Sequence, residues 1–334
     1  MMTSVQGVRM VWPLLVVLAI VSPLISLWFG SADLPDGTVW ACLTDQCPRP
    51  VDQAIFYDLR LPRVLAALLV GGGLAVAGAS LQNVTRNGLA DPYLFGVVAG
   101  AGLGASIVSV LPGVSSWVPD GVALPMAAFI GSSLAVVLVQ ALATSAWART
   151  PEQLLLAGVA VSLMLGAMTH FVLYLGEPFA ANKVMFWLMG SLSRVELHQL
   201  AIMALPLLVA VALLWLLGRR FDAMLLGDDT ARSLGVEAST MRAIGMVICA
   251  GLTAVVVAYC GGIGFVGLMI PHIVRRWVGV STRQVVPASL LLGGAFLVWA
   301  DVLARSASPD HEIPIGILTS AIGSVFFLLM MRRR

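Results

Sequence analysis

Charge is what this 334-residue chain has least of: Asp, Glu, Lys and Arg make up 11% of it, where soluble domains carry about 25%. That is too little polar surface to cover a water-soluble fold of this size, so a globular cytosolic or secreted domain is excluded. Lysine is scarcer still. The single one, Lys183 in "AANKVM", does not sit in a glycine-rich turn, so no phosphate-binding loop of the G-x-x-x-x-G-K-[ST] kind is present. Any ATP hydrolysis must then reside on another polypeptide. Four cysteines make no disulfide framework, and Cys42 and Cys47 in "ACLTDQCPRP" lack the two nearby ligands a zinc site would need. Long polar stretches are missing too, so residues 1–334 read as one domain. A net charge of +2 offers no basic face for nucleic acid.

What the chain does have is apolar residues, 59% of the total with a mean hydropathy of +0.97, in runs separated by short polar breaks. A bilayer-crossing helix needs about 20 apolar residues, which these runs supply, whereas barrel strands would alternate in short segments. The predicted fold is therefore all-α, a polytopic membrane protein. Charge-poor windows near 11–29, 61–83, 93–111, 122–147, 153–175, 198–218, 242–260, 263–279, 285–304 and 313–331 give ten spans. The first is long and lacks a small-residue cleavage site, so it reads as a retained helix rather than a removed signal peptide.

Basic residues orient the bundle. With both termini cytoplasmic, the inner segments hold thirteen arginines; the outer side holds six basic residues, Arg49, Arg60, Arg63, Lys183, Arg194 and Arg305. Arg60 and Arg63 thus stand on the side where positive charge is usually scarce. Within the spans small residues dominate: Gly71, Gly72, Gly73 and Gly78, and Gly96, Gly100 and Gly104 spaced four apart, which read as close helix packing. On an oxidising side Cys42 and Cys47 form either a small disulfide loop or two free thiols, while Cys249 and Cys260 read as core.

Convergent catalytic groups are hard to find. Asp301 stands near the outer end of its helix and His170 near mid-membrane, and neither reads as half of a proton relay. His170 fits a neutral side chain bonded to a neighbouring helix. The polar segment 219–241 is more telling. Asp228 and Asp229, then Thr230, Ala231, Arg232, Ser233, Leu234 and Gly235, read as a short helix with acids in its first turn and a closing glycine. A short helix outside the membrane usually has a protein to grip.

Several stretches together resemble the permeases of type II ABC importers, the FecCD type that carries iron-siderophores, haem and cobalamin. They are "RLPRVLAALLVGGGLAVAGASLQNVTRNGLADP" (60–92), "LLLAGVAVS" (154–162), "WLMGSL" (187–192), "LGDDTARSLGV" (226–236), "GGIGFVGLMIPHIVRRWVG" (261–279) and "EIPIGILTSAIGSVFF" (312–327). The likeness runs from about residue 55 to the end. Gly88 and Gly262 replace prolines usual in that family.

The resemblance implies ten helices, a dimer with a second copy or a close paralogue, two ATPase subunits that bind ATP and Mg, and a bacterial cytoplasmic (inner) membrane location. It implies no cofactor in this chain itself. The 228–235 helix would be the element that couples to the ATPase. Arg60, Arg63 and Arg305 would receive acids of a substrate-binding protein, a role suited to planar guanidinium forks. Iron(III)-siderophore is the expected cargo, with haem or cobalamin as alternatives. A gradient-driven transporter or a membrane enzyme would need buried ionisable pairs or a catalytic cluster instead.

Overall fold

The computed structural model describes residues 5–30, 34–111, 121–144, 151–308 and 311–332, and among them all regular structure is helical. The order is α1 (Val5–Ser26), α2 (Thr38–Leu43), α3 (Pro50–Ala54), α4 (Leu61–Thr85), α5 (Val97–Val110), α6 (Ala123–Thr144), α7 (Pro151–Leu175) and α8 (Pro178–Leu188). It continues with α9 (Leu197–Leu216), α10 (Gly218–Met224), α11 (Asp228–Ser233), α12 (Ala238–Cys260), α13 (Val266–Val278), α14 (Thr282–Ser306) and α15 (Ile315–Met331). Among the described residues six helical segments are long and apolar enough to cross a membrane: 50–85, 123–142, 156–175, 197–216, 238–260 and 282–306. The apolar segments of α1, α5 and α15 are shorter.

At the centre lies α4, whose sequence is apolar on every side and which is buried along most of its length. It packs against α14, α12, α13 and α9. Contact this close requires glycine. A Cβ on Gly78 would lie 2.0 Å from the Gly267 carbonyl oxygen of α13, and one on Gly71 would lie 2.3 Å from that of Gly293 in α14. The same device joins α5 to α6, where Gly100 and Gly104 face the carbonyls of Gly131 and Ala127. Gly96 differs: it turns the chain into α5 with φ +77° rather than lining a helix contact.

Two boundaries depart from the windows read in the sequence. The helix expected from residue 61 begins at Pro50 and runs through one π turn, Ile55–Arg60, directly into α4. Pro62 explains the turn, because its ring nitrogen has no N–H to donate to the carbonyl four residues back and its ring crowds that carbonyl, so the backbone widens just before it. At the other end of the chain, the window 263–279 becomes a 13-residue helix, about 20 Å long and too short to cross a bilayer core alone. It is entered through an extended run, Gly261 to Gly264, and through Phe265 at φ +67°.

That run is where three of the quoted motifs meet. Ser191 N donates to Cys260 O at 2.9 Å, Gly262 N to Leu188 O at 3.3 Å, Ile315 N to Gly190 O at 3.2 Å and Gly316 N to Met189 O at 3.1 Å. The Tyr93 hydroxyl donates to Ile263 O and accepts from Ile263 N, both at 2.9 Å. Irregular backbone in an apolar bundle is tolerated where its polar groups find such partners within the protein. Gly262 also shows what the missing proline changes: the glycine supplies an N–H that proline lacks.

Candidate functional site

The loop before α3 is closed by a disulfide between Cys42 and Cys47, with Cα atoms 4.4 Å apart, so the two thiols are paired. Cys249 and Cys260 are buried as core residues. Below that loop the three arginines of the first motif and of α14 come together. Arg60 is 5% exposed and its Nη1 donates to Leu27 O; Arg305 is 3% exposed and its Nη2 donates to Ser26 O at 3.1 Å. Those are the final carbonyl of α1 and the one that follows it, and α1 has no basic residue in its own final turn. Two cations therefore cap the negative end of α1 from elsewhere in the chain.

Arg63 does something else. Its Nε donates to Asp301 Oδ1 and Oδ2 at 2.8 and 3.0 Å, and its Nη1 to Glu312 Oε1 and Oε2, both at 2.9 Å. Asp301 is 1% exposed and also stands 3.3 Å from Arg305 Nε, an ion-pair distance without hydrogen-bond alignment. So Asp301 is not isolated: Arg305 lies at i+4 on its own helix and Arg63 reaches it from α4. A cavity of about 120 Å³ opens here, lined by Arg60, Arg63, Arg305, Glu312, Gly30 and Ser193 among others.

The other candidate site lies at the far end of α4, about 36 Å away at 1.5 Å per residue. There α11 forms as the spacing predicts. Gly235 N donates to Arg232 O and Val236 N to Ala231 O, with Gly235 at φ +77°, the paired bonds of a glycine-closed helix end. Ala231 is buried beneath the helix, while Asp229, Thr230, Arg232, Ser233, Leu234 and Gly235 are exposed. Arg232 stays close to home, 3.5 Å from Asp229 and 3.8 Å from Glu237. Asp228 instead ties α11 to the bundle, pairing with Arg86 at 2.8 Å and with Arg242 at 3.2 Å.

Behind α11, α10 carries a carboxylate that the sequence reading passed over. Asp222 Oδ1 accepts from Thr282 N at 2.7 Å and Thr282 Oγ1 at 2.5 Å, and Oδ2 accepts from Ser281 Oγ at 2.8 Å, capping the start of α14. Thr282 Oγ1 in turn accepts from Asn83 Nδ2 at 2.8 Å. Asn83 Oδ1 and the Ala79 carbonyl each accept from Arg275 Nη2 at 3.0 Å, and Gln82 Oε1 accepts from Arg275 Nη1. One polar network thus links α10, α14, α4 and α13 beside the exposed helix.

The sequence matches the FecCD transport family over residues 17–333. The chain belongs to the FecCD transport family.

Among FecCD relatives, the iron(3+)-hydroxamate import system permease FhuB of Bacillus subtilis is 36% identical, covering 92% of this chain and 79% of that protein. The hemin transport system permease HmuU of Yersinia pestis is 34% identical over 98% of this chain and 96% of its own length. The cobalamin import permease BtuC of Halobacterium salinarum is 37% identical over 89% and 80%. A solved metal-chelate type ABC transporter in an inward-facing conformation superposes with a TM-score of 0.84 at 30% identity, covering 96% of this chain and 98% of that one. This FecCD chain is accordingly an all-helical, multi-pass membrane permease of the ABC importer class.

One expectation fails within it. His170 lies exposed on α7 with no hydrogen bond to another helix among the described residues, because α7 turns most of its surface away from the bundle. Gln82 and Asn83 were findable, being amides inside an apolar window. Glu312 and Asp222 were not, since their partners are remote in sequence.

Proposed function

We propose that this permease, as a dimer with a second copy or a close paralogue, carries an iron(III)-siderophore chelate across a bacterial cytoplasmic membrane. The soluble binding protein delivers it, and two ATPase subunits that hold ATP and Mg drive it. The observation that carries this reading is α11: an exposed polar helix whose Asp228 is bonded to the ends of α4 and α12. A partner that moves α11 pulls on both helices. In this reading the ten windows all cross, both termini are cytoplasmic, and α11 faces the ATPase. The disulfide loop supports that orientation, since disulfides persist on the oxidising side.

The arginine cluster is then the outer docking surface. Arg60 and Arg305 form the floor of its cavity and Arg63 its rim, where an acidic side chain of the binding protein would be received. The cargo choice follows the iron-hydroxamate relative; the hemin and cobalamin relatives make those the competing cargoes. Uptake into proteoliposomes holding this chain, its ATPase and its binding protein tests the proposal with labelled ferric siderophore, haem and cobalamin. ATP-dependent accumulation of the siderophore supports it. Accumulation of haem or cobalamin instead corrects the cargo, and accumulation driven by an ion gradient without the ATPase refutes the importer reading.

A further inference from the structure

Four of the six basic residues read as lying away from α11 are accounted for: Arg60, Arg63 and Arg305 form the cluster above, and Arg49 donates to Asp52 at 2.8 and 2.9 Å. Lys183 and Arg194 are left over. Both are exposed, and among the described residues neither makes an ion pair or a side-chain hydrogen bond. Yet they line one cavity of about 550 Å³, with Trp187, Gln199, Glu196 and Tyr259 around them and walls from α5, α6, α8, α12 and the start of α9. Because α12 begins beside α11, its last turn with Ala258 and Tyr259 lies at the opposite face, about 30 Å away. The one acid in that lining is already engaged. Glu196 caps α9 and stands 3.2 Å from His198 Nδ1, so the cavity keeps an excess of positive charge.

A second hollow, of about 460 Å³, lies farther along the same two helices α6 and α12 and is lined by Val136, Val137, Val247, Ala250, Gly251 and Ala254. It is mostly apolar. Of the polar side chains there, Gln140 and Ser133, the serine spends its hydroxyl on Phe129 O at 2.8 Å. On α12, Val247, Gly251, Ala254 and Ala258 follow one another at intervals of four, three and four residues, a single stripe of the helix that joins groove to cavity. Gly251 stands about 10 Å below Ala258. We infer that cavity and groove together hold one anionic phospholipid of the leaflet opposite α11: Lys183 and Arg194 take its phosphodiester, and the groove takes an acyl chain. Basic pockets between membrane helices suit such headgroups, and Trp187 and Tyr259 supply the amphipathic rings favoured at that depth. A soluble anion would use the cations and leave the groove empty, and an acyl chain alone would leave the cations unused. Bound there, the lipid ties α8, through Lys183, to the turn before α9, through Arg194. The inference needs only a membrane permease and does not depend on its cargo.

The test titrates phosphatidylglycerol into the full chain, purified and delipidated in detergent, and reads bound lipid by native mass spectrometry. The double variant Lys183→Gln, Arg194→Gln is expected to bind it at least about tenfold more weakly, the scale of lost hydrogen bonds to a charged group. Gly251→Leu fills the groove instead. Nothing lies within 4 Å of a Cβ at that position, so the change has room, and lipid binding should fall severalfold. Because a variant can disturb folding, the wild-type chain supplies a further measurement: raising salt from about 50 mM to about 500 mM should lower its lipid occupancy and leave that of the double variant flat. Phosphatidylcholine, whose headgroup adds a cation, should bind the wild type more weakly than phosphatidylglycerol. Equal lipid binding by the double variant, by Gly251→Leu, or by the wild type at both salt concentrations overturns the site. Displacement of the lipid by an equal concentration of inorganic phosphate would show a site for free anions and overturn the phospholipid assignment, as would phosphatidylcholine binding as tightly as phosphatidylglycerol.

Discussion

Removing the Asp222 carboxylate tests whether remote capping holds the end of the bundle where α10, α14 and α4 meet. In Asp222→Ala the Ser281 hydroxyl and the Thr282 N–H and hydroxyl lose their acceptor. Loss of a helix N-cap costs about 1 kcal/mol, and a buried donor left unsatisfied costs about 1–3 kcal/mol. Thr282 is 1% exposed, so water does not readily replace the acceptor. Together these give a destabilisation of roughly 2–4 kcal/mol. Asp222→Asn keeps one oxygen acceptor and should lose about half as much. Thermal denaturation of the detergent-purified chain, followed by intrinsic tryptophan fluorescence, should rank wild type above Asp222→Asn above Asp222→Ala. The double variant with Asn83→Ala should be less unstable than the sum of the singles, because Asn83 acts on the same Thr282 hydroxyl. A melting temperature for Asp222→Ala within a degree or so of wild type would refute the reasoning, since it would mean that α14 does not depend on the cap.

Gly78→Ala places a methyl 2.0 Å from the Gly267 carbonyl, so α4 and α13 must separate; a loss of at least about 1–3 kcal/mol is expected, read as reduced melting temperature and yield. Asp228→Asn should behave oppositely: its exposed pairs with Arg86 and Arg242 are worth only about 0–1 kcal/mol, so melting stays near wild type while ATP-driven uptake in proteoliposomes falls severalfold. Burial raises the Asp91 carboxyl from the ordinary 3.8 to about 6. The fold thus favours its protonated form. That contribution to stability is complete below about pH 4 and fades as pH rises through 6, so Asp91→Asn should melt higher than wild type at pH 7 and match it near pH 4. Equal differences at both pH values would contradict this.

Arg60 and Arg305 show how far a sequence can be read and where it stops. Their residue type and their place in the motifs mark them as special, and the family likeness offers them a role in docking. Their burial against the Ser26 and Leu27 carbonyls depends on a contact between residues more than thirty positions apart in one case and nearly three hundred in the other. Local pattern carries no trace of such a contact. The same holds for Glu312, whose partner Arg63 lies on another helix.

The sequence by itself determined the solvent. Runs of apolar residues too long and too numerous for a water-soluble core fixed helices as the only economical way to satisfy the backbone, and the charge asymmetry of the loops implied an orientation. It also determined α11, because Asp-Asp at the start and Gly235 at the end are short-range signals. Only the tertiary structure decided that the span after Cys260 breaks into extended backbone and a short helix. Only it decided that Cys42 pairs with Cys47, that His170 faces outward, and which acids hold which arginines. The physical reason is the same throughout: periodicity and caps act over one or two turns of chain, whereas the pairing of buried polar groups is set by which helices glycine lets approach.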